Sequence, residues 1–147
     1  MRSFQPHVTV ATIVEKDGQF LLVEEYDQSS IFFNQPAGHL EAAESLIQAA
    51  ERETLEETAW EVEVVNLLGI DLYTAPANNV TYFRSTFIAN AVKFHPERAL
   101  DEGIIQAHWL SLKEIQQRSK QLRSPLILDT IERFLNGHQY PLSLLGQ

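Results

Sequence analysis

Glu53, Glu56 and Glu57 crowd into the stretch RETLEET at residues 52–58. Like charges at that spacing repel, so a helix gains nothing from gathering them unless a positive group comes to them. At about 100° per residue, Leu46, Ala50, Glu53 and Glu57 fall on one face, with Glu56 at its edge. The acids therefore continue the stripe that the first turns use for packing. A merely solvated acidic face belongs opposite that stripe, where Glu51 lies. Glu56 and Glu57 also stand near the C-terminal end of the segment, where the helix dipole disfavours acids. Two readings stay open at this point: a solvated charge run, or a site that expects a cation.

The elements that must hold these residues can be read from periodicity and punctuation. Residues 7–14 and 19–26 are β-rich runs, and Asp17-Gly18 between them is a hairpin signal. A loop is expected over 27–44, punctuated by Pro36 and Gly38. Ser45 with Gln48 has capping-box spacing and opens a helix over 45–58. Longer strands are expected at 62–74 and 80–92, and a shorter one at 104–110. Ser111 with Glu114 opens a helix over 112–119, and Ser124-Pro125 opens another that ends at Asn136-Gly137. The pattern predicts one α/β domain over 1–147, a sheet with helices packed on it.

Composition narrows the partners. The 147 residues are 44% hydrophobic and 21% charged, as in an ordinary globular domain. There is no cysteine, which excludes disulfides, thiolate metal sites and a thiol nucleophile. With no signal-like N-terminus and no membrane-length apolar run, a cytoplasmic location is expected. The net charge of −9 comes without a basic stripe, so a nucleic-acid polymer is not expected as a partner. An acidic protein that handles phosphate must also borrow positive charge from elsewhere.

The cluster belongs to a longer pattern. In GHLEAAESLIQAAERETLEETAW, Gly38 is followed by Glu44, then Arg52-Glu53, then Glu56-Glu57. Glycine, acid, Arg-Glu and Glu-Glu at these intervals resemble the Nudix box of the Nudix hydrolases. FFNQPAGHLE before it and AHWLSLKEI after the sheet are also similar to that family. PHVTVA, NQPAGHLEA, LRSPL and YPL look most like its small NudJ-type phosphatases. Two positions depart: Thr54 replaces an aliphatic residue, and Ala59 replaces the glycine of the helix-ending turn. If that turn is left-handed, alanine costs roughly 1 kcal/mol there.

The resemblance implies a Nudix-like α/β/α sandwich with a mixed central sheet. It also implies hydrolysis of a phosphoanhydride in a small diphosphate or triphosphate, such as a nucleotide or a thiamine-pathway pyrophosphate, with release of orthophosphate. The alternatives are an ADP-ribose or nucleotide-sugar pyrophosphatase, or a non-catalytic Nudix-like nucleotide sensor. Mg²⁺, with Mn²⁺ able to substitute, would bind Glu53, Glu56, Glu57 and the Gly38 carbonyl. Bridging carboxylates to phosphate oxygens is suited to such an ion. Glu53 would be ligand, general base or both. Arg52 would orient Glu44 or Glu53, and Glu44 would hold the loop against the helix. Glu102 is the expected extra carboxylate outside the box, with Asp101 as its rival. Arg84 either reaches a substrate phosphate or forms a cross-strand ion pair. Phe33, with Phe32, either stacks on a substrate ring or joins the core. Either a monomer or a homodimer fits.

Overall fold

The computed structural model describes residues 3–146; the remaining residues of the expected 1–147 domain lie outside that range. Strands β1 (His7–Lys16) and β2 (Gln19–Asp27) form the opening hairpin. β3 (Ser30–Asn34) and β4 (Ala37–His39) follow, then helix α1 (Leu46–Thr58). Next come β5 (Trp60–Thr74), β6 (Thr81–Phe94), β7 (Ile104–Ser111), α2 (Leu112–Gln117) and α3 (Leu126–Leu135).

The sheet is mixed. β1 runs parallel to β6, while β4 joins β1, β5 joins β6, and β3 and β7 flank β2, all antiparallel. Strand alternation divides the core in two. Val10, Val14, Leu21, Leu67 and Phe87 face one side and pack with Ala49 and Ala50 of α1. Ile13, Phe20, Leu22, Leu68 and Ile88 face the other, against Ile115 of α2 and Ile127 and Ile131 of α3. Burying each such side chain contributes about 1.5–3 kcal/mol. The result is the expected α/β/α sandwich.

Three local readings change. The stretch 27–44 is not one loop but carries β3 and β4. Both are short, and their partners lie on β2 and β1, so no periodicity announces them. The helix expected at 112–119 stops at Gln117 and gives way to a 3-10 turn, Ser119–Gln121. Glu51 is not simply solvated, since it accepts from the Val64 N–H of β5 at 2.9 Å. Ala59, by contrast, does adopt the left-handed cap at φ 62°, with its N–H donating to the Leu55 carbonyl. Its own carbonyl accepts from His95 N–H, so surrounding bonds hold the alanine in a glycine-like turn.

Candidate active site

The first turn of α1 is fixed by Ser45 and Gln48, whose reciprocal capping bonds are both formed. Its last turn is completed by another segment: the Asp101 N–H donates to the Glu56 carbonyl at 3.0 Å. This satisfies one of the carbonyls that a helix end leaves open. It also brings Asp101 beside Glu53 and Glu56, with one oxygen of each within 4.8 Å of the others. Glu102 does not join them. It sits exposed in the turn closed by Ile104 N–H on the Asp101 carbonyl. The backbone bond places Asp101 in this group.

Glu57 takes a separate place. Its Oε1 accepts from the Ala37 N–H at 2.9 Å, which ties β4 to α1. Burial pushes its carboxyl up to about 9; the Ala37 bond opposes this, and the charges of Glu53, Glu25 and Asp101 add to it. Glu53 is also raised, chiefly by burial, against the pull of Arg52. A carboxyl held neutral beside other carboxylates is the state that a cation relieves. All the donors are oxygens, the set a hard divalent ion prefers. Gly38 fits the same picture, because a Cβ there would run into the Glu53 carboxyl group. Only glycine lets that backbone lie so close, so the residues present suit a metal.

Arg52 is the internal cation of this cluster. It grips Glu44 with two bonds, Nε to Oε2 at 3.0 Å and Nη2 to Oε1 at 2.8 Å. Nη1 reaches Glu53 at 2.8 Å and Glu56 at 3.2 Å, and Nη2 also donates to the His39 carbonyl. These bonds, led by Glu44, hold its pKa above the ordinary arginine value. Glu44 in turn accepts from the Glu41 N–H, so one carboxylate joins the loop to the helix. The geometry is that of an orienting residue.

Beside Gly38 opens a cavity of about 590 Å³, lined among others by Thr9, Phe32, Asn34, His39, Tyr82, Arg84 and Arg123. Arg84 lines it and makes no cross-strand ion pair; its neighbour Asp71 is held by Arg133 instead. Phe33 does not line it. That ring is buried in the core with Phe20 and Leu22, under the Arg118 guanidinium. Strand alternation gives the cavity to Phe32, with the Arg123 guanidinium 4.9 Å from its ring. The identical residues of FFN gave no sequence signal for which ring faces out. A second cleft, about 470 Å³ and lined by Trp60, Phe94 and Trp109, contains no carboxylate.

A family model for the NUDIX domain matches residues 3–130. The chain belongs to this family. It is a Nudix hydrolase, and the glycine-to-glutamate pattern around α1 is its box. It is 39% identical over 143 residues to the phosphatase NudJ of Escherichia coli K12, covering 97% of this chain and 92% of that one. A NUDIX hydrolase from Nitrosomonas europaea is 45% identical and superposes with a TM-score of 0.96 over 97% of both chains. A UDP-X diphosphatase, 16% identical, shares the fold at a TM-score of 0.75, over 96% of this chain and 68% of that one. The family acts on small phosphorylated substrates. No helix among the described residues is long and apolar enough to cross a membrane.

Proposed function

We propose that this Nudix hydrolase is a Mg²⁺-dependent phosphatase of small diphosphates and triphosphates that releases orthophosphate, with nucleotides as its first substrate class. The observation that carries this reading is the convergence of Glu53, Glu56 and Asp101 next to the cavity that Gly38 and Arg84 line. The name of its NudJ relative supports the choice of phosphatase. Glu53, Glu56, Asp101, the Gly38 carbonyl and Glu57 are the residues that would hold Mg²⁺ or Mn²⁺. The metal would supply positive charge against the phosphate oxygens and acidify a bound water. Arg52 occupies Glu53 Oε1, which leaves Oε2 to take the proton of the attacking water. Burial raises the Glu53 carboxyl above the ordinary carboxylate range, which makes it a better proton acceptor than a solvated acid.

The test is incubation with Mg²⁺ and a panel of nucleoside diphosphates and triphosphates, thiamine pyrophosphate and ADP-ribose. Orthophosphate and pyrophosphate are assayed separately, with Glu56→Gln as control. Orthophosphate that disappears with chelator and in the control is the expected result. Pyrophosphate as the main product, or AMP from ADP-ribose, would move the reading to a pyrophosphatase. No cleavage with metal still bound would sink the assignment as a catalyst of this class.

A further inference from the structure

The cavity is lined by a buried positive charge that no carboxylate contacts directly among the described residues. Arg84, on β6, is only 8% exposed. Its Nη2 donates to Gln35 Oε1 at 2.6 Å, and its buried Nε has no acceptor. Its cross-strand neighbour Asp71 is bonded to Arg133 at 2.6 Å, and Arg84 has no ion pair among the described residues. Burial lowers its pKa to about 10, so it remains charged at neutral pH. The Asp71 carboxylate supports this charge through space but gives its hydrogen bond to Arg133, so an anion that comes to the desolvated guanidinium itself is still favourable. An arginine serving only the core would be matched by a carboxylate or by several carbonyls.

Its aim is fixed from behind. Gln35 is buried, and its Nε2 donates to Thr130 Oγ1 at 2.8 Å on α3. Thr130 in turn donates to the Leu126 carbonyl. A rigid neutral chain thus holds the guanidinium toward the cavity without neutralising it. Across the sheet, Arg84 is in register with Thr9, and Thr9 with His39, the residue after Gly38. Two strand spacings, about 10 Å between backbones, separate the arginine from the edge of the carboxylate cluster.

We infer that Arg84 is the seat of a substrate phosphate, bound without metal, and that Gln35 is the positioning residue that presents it. This rests on the proposed function and deepens it. The substrate carries two anionic groups, one at the carboxylate cluster and a second at Arg84. The orthophosphate product fits the same seat, so free phosphate inhibits competitively.

The test uses inorganic phosphate as the probe, titrated calorimetrically into the intact protein in chelator, with ionic strength matched by KCl. Arg84→Met removes the charge. Gln35→Glu keeps Arg84 but gives it an internal carboxylate where an amide oxygen now lies at 2.6 Å. The expected result is saturable binding in the unaltered protein, weakened at least about tenfold in both variants. Melting temperatures check that both fold, and if Arg84→Met does not, Gln35→Glu decides. A structural role for Gln35 predicts no loss of phosphate binding in a folded Gln35→Glu protein. No binding in the unaltered protein, or binding unchanged in Gln35→Glu, would overturn the inference. The assay needs neither metal nor turnover, so it can fail or succeed independently of the hydrolysis assay.

Discussion

The Asp101 N–H closes the last turn of α1 on the Glu56 carbonyl, and the same residue's carboxylate completes the group begun by Glu53 and Glu56. One residue thus caps the helix with its backbone and extends the site with its side chain. Asp101→Asn keeps the backbone bond and removes the charge. Metal affinity, read by Mn²⁺ titration, should fall by about tenfold or more. Glu102→Gln should change it less than twofold, roughly the scale of a solvated surface charge. Equal effects at the two positions would remove Asp101 from the site.

Glu57 makes the metal-free protein sensitive to pH. Its folded pKa, about 9 against an ordinary 4.5, is raised chiefly by burial. The folded state therefore holds a proton that the unfolded state releases between those values. Its stability contribution is present below pH 4.5 and is lost as pH rises toward 9. In chelator, the melting temperature of the unaltered protein should fall more steeply from pH 5 to pH 8.5 than that of Glu57→Gln. Parallel melting curves would show that Glu57 ionises freely in the fold.

At Gly38 the prediction concerns placement rather than stability. A Cβ there would meet the Glu53 carboxyl group, a flexible side-chain end. Gly38→Ala should fold, while kcat/KM falls on the order of 10²-fold from a displaced Glu53. Circular dichroism and the melting temperature separate the two effects. Full activity in the alanine variant would mean that the close approach is not needed.

Ala59 offers the opposite separation. Alanine holds a left-handed turn at φ 62°, which glycine adopts at lower cost. Ala59→Gly should stabilise the protein by about 0.5–1 kcal/mol in denaturant unfolding. Because the hydrogen bonds of Ala59 run to Leu55 and His95 rather than to the carboxylate group, kcat should be unchanged. A loss of stability would show that the packing of its methyl group outweighs the backbone strain.

The cap at Ser45, the helix it starts, the box around it and the strands β1, β2, β5, β6 and β7 were all legible in the sequence. Each rests on local spacing, in which a side chain's type and its distance along the chain fix what it can touch. β3 and β4 were not legible, because a three-residue strand such as Ala37–His39 exists only through its partner β1.

The site divides in the same way. Spacing along the chain was enough for the family and for the acids of α1, and it left Arg52 between Glu44 and Glu53 as its partner; these residues lie within about four helical turns of one another. The folded chain was needed to see that Asp101 rather than Glu102 approaches Glu56, and that Phe32 rather than Phe33 lines the cavity. It alone decided that Arg84 meets Gln35 instead of Asp71. These choices lie between adjacent or chemically equivalent residues. They are settled by strand register and by which backbone group closes a helix end, and neither is encoded in local spacing.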